Sequence, residues 1–204
     1  HDIAIAPYTR KPQYQFGWDW ALRLNTIGFN KPATLYTYDD NRIVNKGVKI
    51  LELKKDEATV EFMIELAVKD NKEYIWKTDD FLYENVTAEN GVVKYEIQIY
   101  NPKLWWPKGH GDQYLYNRVV LIQSSDGERI GSSRFSYGIK TSELIQEKDE
   151  WGTSYYFKIN GQRIFCKGGD YIPQDIFPAR VKDEDIEKLV EDMALSNFNM
   201  IRVW

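Results

Sequence analysis

Residues 17–20 read Gly-Trp-Asp-Trp, which places one carboxylate between two indoles. A carboxylate accepts hydrogen bonds from two sugar hydroxyls, and an indole ring covers the apolar face of a sugar. Trp18 and Asp19 are therefore candidate ligand-binding residues. The same run is also typical of a β-turn whose aromatic side chains fill an interface, and the pattern alone leaves both interpretations open.

A second candidate group is formed by Arg202 and Trp204, which end a β-like run. The pattern alone is typical of a buried strand end with an ordinary ion pair. Asp170 and Asp175 follow the β-like segment 163–167. Turn capping explains both aspartates as well as a role in a site does.

Composition and charge exclude several other functions. Aromatic residues make up 15% of the 204 residues, and such rings stack on sugars or nucleobases. The net charge of −4 and the absence of a Lys/Arg-rich run argue against nucleic acid as a partner. His110 has no partner at ligand spacing, so neither a metal nor a cofactor is predicted. No apolar run approaches the roughly 18 residues that span a bilayer, so no membrane partner is predicted. Cys166 has no second cysteine to pair with, and we predict a buried strand thiol.

The clearest element signals lie between residues 41 and 147. Apolar residues alternate with polar ones in two segments, which predicts strands with one buried face. Asn-Gly at 90–91 and Asp-Gly at 126–127 predict tight turns beside strands. About 100 residues with this spacing indicate an antiparallel sandwich of immunoglobulin-like size. The predicted inward residues are Val60, Phe62, Ile64, Leu66 and Val68 in the first segment, and Val93, Tyr95, Ile97 and Ile99 in the second.

The flanking regions have different patterns. Before residue 40 the chain reads as a loop with one or two strands, of which 33–38 is the most β-like. After residue 150, β-like segments flank an Asn-Gly turn at 160–161. Asp183 then caps a predicted helix with apolar residues at i, i+3, i+4, i+7 and i+8, and Asn197 ends it. A final β-like run at 200–204 completes a strand, helix and strand in the order of a parallel βαβ unit.

Three longer motifs carry a family resemblance. They occupy residues 14–20, 102–116 and 160–204, and their order and spacing closely resemble those of the β-mannosidases of glycoside hydrolase family 2. The resemblance implies a mainly β fold, in which an immunoglobulin-like β-sandwich is flanked by a piece of a jelly-roll and by the first strand, helix and strand of a (β/α)8 barrel. The implied domains are 1–40, the end of the jelly-roll sugar-binding domain, 41–147, the sandwich, and 148–204, the start of the barrel. The chain departs from the family pattern at Ala21-Leu22, Asn30 and Asp170-Tyr171.

The resemblance also implies roles for individual residues. Trp18, Asp19 and Trp204 are expected to bind substrate, and Arg202 to position the nucleophile. The activity is that of a retaining exo-β-mannosidase, whose two catalytic glutamates are expected on later barrel strands, beyond Trp204. No catalytic residue is therefore expected in this chain, and the fragment alone is predicted to be inactive. Trp105, Trp106 and His110 are interpreted as packing residues between sandwich and barrel.

Two other functions stay open at this stage. One is a non-catalytic carbohydrate-binding sandwich, which the βαβ tail argues against because a binding module has no use for the start of a barrel. The other is a family-2 β-galactosidase or β-glucuronidase. The predicted partners are a β-mannoside or another oligosaccharide, the rest of the parent chain, and a second copy of the fragment. The compartment is not identified, since the sequon at 85–87 (Asn-Val-Thr) matters only in a secretory setting.

Overall fold

The computed structural model describes residues 6–29, 31–38, 41–80 and 82–204. The chain divides into two compact units, one formed by Thr37–Cys166 and the other by His1–Tyr36 together with Lys167–Trp204. The predicted mainly β fold is confirmed. α1 is the one α-helix in the described ranges, and no helix there is both long enough and apolar enough to cross a membrane.

The first unit contains a seven-stranded antiparallel sandwich. Strands β1, β2 and β5 form one sheet in the order β1-β2-β5, and the other sheet has the order β4-β3-β6-β7. The strands are β1 Ile43–Leu53, β2 Glu57–Leu66, β3 Glu73–Thr78, β4 Tyr83–Thr87, β5 Val92–Tyr100, β6 Tyr116–Ser124 and β7 Arg129–Tyr137. This is the immunoglobulin-like sandwich that the alternating segments predicted.

The sandwich core follows from the period-two pattern of β2. Every second residue of this strand is buried, and Phe62 lies at the centre with no exposed surface. Its ring packs edge-to-face on Phe135 at 5.1 Å and on Tyr137 at 5.3 Å, which are favourable geometries for aromatic pairs. Val68 departs from the prediction: β2 ends at Leu66, and Val68 is 38% exposed in the turn that follows.

A three-stranded antiparallel sheet follows the sandwich, with the order β10-β9-β8. Its strands are β8 Ser142–Ile145, β9 Tyr156–Ile159 and β10 Gln162–Ile164. The predicted turn at Asn160 and Gly161 joins β9 to β10, with φ of 50° and 76°. The predicted domain boundary at residue 147 falls between the paired strands β8 and β9, and the three domain ranges stay a prediction. Cys166 was predicted in a buried strand, but it is half-buried in the coil after β10.

The second unit contains the predicted βαβ element. Strand β11 (Gly168–Tyr171) pairs in parallel with β12 (Met200–Val203), and α1 (Asp183–Leu195) connects them. The first of these strands begins later than the predicted segment 163–167. The backbones of β11 and β12 approach so closely that a Cβ at Gly168 would collide with the Met200 carbonyl oxygen, so the ladder starts at a glycine.

The ends of α1 correct one prediction and match another. Asp183 is the first helical residue and not the cap, since Lys182 occupies the cap position with an extended backbone. The Asp185 carboxylate accepts a 3.2 Å hydrogen bond from the Lys182 amide, which ties the start of the helix. At the other end Asn197 adopts the left-handed conformation (φ 61°), as its predicted role of stop residue requires.

The described residues before 39 contain no strand. They form two short 3-10 turns, Ala6–Tyr8 and Gln13–Phe16, joined by coil. The predicted β-like run at 33–38 is therefore wrong: no neighbouring strand pairs with it, and Leu35 is 89% exposed. A β-prone hexapeptide is not a strand without a ladder partner. Asn30, one of the departures from the family pattern, lies outside the described residues.

Candidate active-site wall

The Gly-Trp-Asp-Trp segment forms a tight turn. Gly17 has a φ of 103°, which lets the chain leave the preceding 3-10 turn in a direction that a residue with a side chain rarely adopts. The backbone amide of Trp18 donates to the Ala21 carbonyl at 3.0 Å, and the Ala21 amide donates back to the Trp18 carbonyl at 3.3 Å. Asp19 and Trp20 occupy the middle of this closed loop, so their side chains project from it.

A buried glutamine, Gln15, ties the residues before this loop to Thr26, which follows it. Gln15 is only 2% exposed, and its side-chain oxygen accepts hydrogen bonds at 3.4 Å from both the amide and the hydroxyl of Thr26. The Lys11 ammonium donates to the Thr26 carbonyl. Buried polar groups that are paired in this way restrain the backbone around them. The segment that carries Trp18 and Asp19 is thus held at both ends.

Strands β11 and β12 position the second candidate group. Asp170 and Arg202 lie directly opposite each other in the parallel register, so their side chains share one face of the sheet. Arg202 Nη1 donates to Asp170 Oδ2 at 2.9 Å. The Trp204 amide extends the ladder by donating to the Tyr171 carbonyl at 3.0 Å. Asp170 therefore belongs to a strand and not to the turn after it, where the sequence had placed it.

Three aromatic rings contact the ring of Trp204, and we call these four residues the aromatic cluster: Tyr14, Trp18, Trp20 and Trp204. The Trp204 ring lies 5.3 Å from Trp18, 5.9 Å from Trp20 and 6.3 Å from Tyr14, measured between ring centroids. Tyr14 and Trp20 also contact each other at 5.2 Å. The fold thus joins two of the sequence-predicted groups, which stand at opposite ends of the chain.

The aromatic cluster contains two rings that are more covered by their neighbours and two that are more exposed to solvent. Tyr14 is 5% exposed, and the Trp20 indole nitrogen is buried with no hydrogen-bond partner among the described residues. Trp18 and Trp204 keep 51% and 38% of their surface exposed, and their ring planes are inclined at 58°. These two neighbouring indoles are therefore the most exposed members of the aromatic cluster. Sequence reasoning gave Tyr14 and Trp20 no role, although both stand in the first motif.

The charged groups of this unit have distinct surroundings. Asp19 is exposed and makes no hydrogen bond or ion pair within the described parts of the chain. A carboxylate, a guanidinium and apolar ring faces can bind a polyhydroxylated ligand. Among the described residues, no group of three or more His, Cys, Asp or Glu could hold a metal ion.

Asp175 belongs to a turn. Its carboxylate accepts hydrogen bonds from the Phe177 amide at 2.8 Å and from the Arg180 guanidinium at 2.5 and 2.9 Å. The bonds from Arg180 and then from Phe177 hold the pKa of Asp175 below its ordinary value. Turn capping, one of the two interpretations of this residue, accounts for the bond from Phe177, and an ion pair accounts for the two bonds from Arg180.

The second motif lies in the sandwich unit. The Lys140 ammonium sits 3.9 Å from the Trp105 ring centroid, a cation–π contact. Trp106 lies against Gly111, where a Cβ would come within 2.7 Å of the indole. The interpretation of Trp105, Trp106 and His110 as packing between sandwich and barrel stays a prediction.

Comparison with known proteins identifies the family. The family profile described as glycosyl hydrolases family 2 matches residues 34–140, about half of the chain. The chain belongs to glycosyl hydrolases family 2.

Family-2 relatives of known name support a closer likeness. Beta-mannosidase B of Aspergillus flavus is 35% identical over 205 residues, which cover 96% of this chain and 24% of that protein. The crystal structure of a β-D-mannosidase from Dictyoglomus thermophilum matches with a TM-score of 0.85 and 31% identity, over 100% of this chain and 26% of that chain. The resemblance to family-2 β-mannosidases is thus confirmed, and the chain spans about a quarter of the length of these relatives.

A more distant family-2 likeness shows the fold alone. The exo-chitosanase of Amycolatopsis orientalis is 15% identical, with a TM-score of 0.62 over 80% of this chain and 20% of that one.

Proposed function

We propose that this chain is a section of a retaining exo-β-mannosidase that releases terminal, non-reducing β-D-mannosyl residues. The aromatic cluster and Asp19 form one wall of its sugar-binding subsite. The contact between Trp18 and Trp204 carries the proposal, because it brings the Gly-Trp-Asp-Trp loop to the end of a parallel strand. Active sites of barrel enzymes are built at the carboxyl ends of such strands.

Three side chains are assigned to the substrate. The open faces of Trp18 and Trp204 suit the apolar face of a pyranose ring, which carries C–H groups and no hydroxyl. Asp19 supplies the acceptor oxygens for sugar hydroxyls, and no neighbour in the described residues competes for them. Tyr14 and Trp20 hold the Trp204 ring from behind, so that little side-chain entropy is lost when a sugar binds.

Arg202 is assigned to the nucleophile. A guanidinium has five donors, and the contact with Asp170 uses one of them. The remaining donors suit a second carboxylate, whose pKa a neighbouring cation lowers. Arg202 would thereby keep the nucleophile ionised and oriented.

The catalytic pair is assigned to parts of the enzyme outside this chain. A retaining glycosidase needs two carboxyl groups about 5–5.5 Å apart, one as nucleophile and one as acid and base. In the candidate site, Asp170 is paired with Arg202 and Asp19 lies on the sugar-binding loop. The chain alone would then bind substrate weakly and turn none over.

The choice of β-mannose over other sugars rests on the relatives. Beta-mannosidase B of Aspergillus flavus and of Aspergillus oryzae and the β-D-mannosidase of Dictyoglomus thermophilum are each at least 30% identical to the chain, whereas matches below 25% carry no information on substrate. The parallel βαβ element favours an enzyme over a free-standing binding module.

The test is a substrate panel with the full-length enzyme. Purified protein is assayed with 4-nitrophenyl β-mannoside, β-galactoside, β-glucoside and β-glucuronide, and proton NMR records the anomer that is released first. We expect the highest kcat/KM for the β-mannoside and the β-anomer as first product. Preference for another sugar would refute the substrate assignment, and release of the α-anomer would refute retention.

A further inference from the structure

The ion pair between Asp170 and Arg202 is exposed in the 204-residue chain, where the two side chains keep 51% and 60% of their surface in water. An ion pair this exposed contributes little to the stability of the chain itself, because solvent screens it. The contact is nonetheless well defined. It joins direct register partners on adjacent strands, at a donor–acceptor distance of 2.9 Å.

The geometry of the contact restricts Arg202. A free arginine side chain samples many rotamers, and an anchor on one nitrogen removes most of them. Asp170 contacts Nη1 only, so the rest of the planar fork keeps its direction and its donors. Among the described residues, Asp170 is the carboxylate that lies within ion-pair distance of Arg202.

The pair also lies beside the sugar-binding wall. Arg202 lies in β12, and Trp204 follows the last strand residue while its amide continues the ladder to Tyr171. Residues two positions apart on extended backbone project to the same side. The Trp204 ring in turn contacts the other three rings of the aromatic cluster. The Arg202 side chain is therefore assigned to the same side of the sheet as the proposed subsite.

From these observations we infer that Asp170 is a positioning residue, which anchors Arg202 so that its free donors orient the nucleophilic carboxylate. This inference rests on the proposed function. It adds a residue whose effect on the reaction passes entirely through Arg202. Only the acceptor oxygen is needed, so an asparagine should replace the aspartate and an alanine should not.

The test isolates the step in which the nucleophile attacks. A 2-deoxy-2-fluoro-β-mannosyl fluoride reacts with a retaining enzyme as the nucleophile's oxygen bonds to C1, the C1–F bond breaks and fluoride leaves. The glycosyl-enzyme then persists, because the 2-fluoro substituent slows its hydrolysis. The inactivation rate of the full-length enzyme, read by intact-protein mass spectrometry, reports this step alone.

We expect Asp170→Ala to slow inactivation at least about tenfold. This is the effect of losing one charge-assisted hydrogen bond from Arg202 to the nucleophile, which an unanchored Arg202 no longer makes. Asp170→Asn should stay within about threefold of wild type, because its side-chain oxygen still accepts from Arg202. Asp175→Ala is the control, since it removes another aspartate–arginine pair of the same unit, although this aspartate is less exposed and also caps a turn, and it should leave the rate unchanged. Melting temperatures of the two Asp170 variants should match the wild type, whereas Asp175→Ala removes a turn cap and is compared by its inactivation rate alone.

A double-mutant cycle tests whether Asp170 acts through Arg202. In an Arg202→Lys background, Asp170→Ala should have little further effect, because the fork that it anchors is gone. Equal effects in both backgrounds, or wild-type inactivation of Asp170→Ala, would overturn the inference and leave the proposed function standing. So would equal losses in the alanine and asparagine variants together with lowered melting temperatures.

The two proposals fail differently. If the substrate panel identifies another sugar, the β-mannosidase assignment fails and the matching 2-fluoroglycosyl fluoride still tests Asp170. A wild-type enzyme that no such fluoride inactivates would overturn both the retaining mechanism and this role of Asp170.

Discussion

At the scale of single residues, the aromatic side chains of the candidate site have two roles: some hold the Trp204 ring in place, and others are available to bind a sugar. Tyr14 and Trp20 are covered by their neighbours, whereas Trp18 and Trp204 present open faces. Asp19 stands on the same loop with its carboxylate in water. An exposed carboxylate contributes little to folding, so its removal should be felt in binding and not in stability.

Replacing Asp19 in the full-length enzyme tests whether its carboxylate contributes to substrate binding and not to stability. Charge-assisted hydrogen bonds to a bound ligand contribute roughly 1.5–3 kcal/mol each. Asp19→Ala should therefore lower kcat/KM for a β-mannoside by at least about tenfold, at about 1.4 kcal/mol per decade. Asp19→Asn should recover part of the loss, since it keeps the shape and one acceptor. Steady-state kinetics and a melting curve measure both effects.

Asp56→Ala is the control for Asp19. Asp56 is an exposed loop aspartate of the sandwich unit, between β1 and β2, and its replacement should change neither quantity. A near-normal kcat/KM for Asp19→Ala with a sharply lower melting temperature would make Asp19 a structural turn residue.

At the scale of elements, the sandwich depends on turns that only certain residues can form. Asn90 and Gly91 both have positive φ, and they form the two-residue turn between the bridged residues Glu89 and Val92. A Cβ at Gly91 would also collide with the Val68 carbonyl oxygen and come within 3.1 Å of the Lys69 Cα. Gly127 has a similar φ of 92° but open space around it.

These two glycines form a matched pair for a stability experiment. Gly127→Ala should lower the free energy of unfolding by ~1–2 kcal/mol, the cost of a left-handed conformation with a Cβ. Gly91→Ala should cost clearly more, because backbone must also move to admit the methyl group. Urea unfolding of the 204-residue chain measures both. Equal costs would mean that the collision at Gly91 relaxes freely.

Buried tyrosines predict how the sandwich responds to alkaline pH. Burial is the main cause that raises the pKa of Tyr74, Tyr95 and Tyr137. The unfolded chain therefore loses these protons first, at about pH 10, and its loss of protons favours unfolding. The stabilisation is complete below pH 10 and is lost as the pH rises from there through the folded-state pKa values.

Urea unfolding between pH 8 and pH 11.5 measures this decline. Tyr137→Phe removes one of the three groups and should make the decline shallower. Tyr100→Phe is the control, because Tyr100 is 72% exposed, and its slope should match the wild type. A free energy of unfolding that stays constant up to pH 11.5 would contradict the assignment of burial as the cause.

At the scale of the whole molecule, the chain contains a complete sandwich and a second unit with much uncovered apolar surface. In that unit Ile27, Phe29 and Leu195 are 98%, 91% and 82% exposed. None of the thirteen residues of α1 is buried, although five of its apolar side chains form one stripe: Ile186, Leu189, Val190, Met193 and Ala194. Surfaces of this kind tend to be covered by another chain.

The isolated chain should accordingly self-associate. Sedimentation velocity at rising protein concentration should show an increasing weight-average mass. A strictly monomeric particle, with the second unit fully protected in hydrogen exchange, would contradict this expectation.

The isolated chain should also lack β-mannosidase turnover, because the nucleophile and the proton donor are assigned to other parts of the enzyme. The measurement is hydrolysis of 4-nitrophenyl β-mannoside by the purified 204-residue chain, with the full-length enzyme as positive control. Specific activity that stays constant through successive purification steps would show that the catalytic pair is misplaced.

The sequence by itself determined the features that depend on neighbours along the chain. The alternation in β2 and β5, the turns at 90–91 and 160–161, and the helix between β11 and β12 were all predicted, because periodicity and turn chemistry are local properties. The three motifs indicated the family and, through it, the mainly β fold. They also marked Trp18, Asp19, Arg202 and Trp204 as site candidates.

Only the tertiary structure decided which distant segments meet. Residues 33–38 have β propensity but no ladder partner, and β11 begins at Gly168 because that is where a second backbone can approach. Asp170 became the partner of Arg202 through strand register, which no local pattern encodes. The contact between Trp18 and Trp204 has the same origin: ring packing across 186 positions depends on the fold of the unit, so its geometry could not be read from spacing.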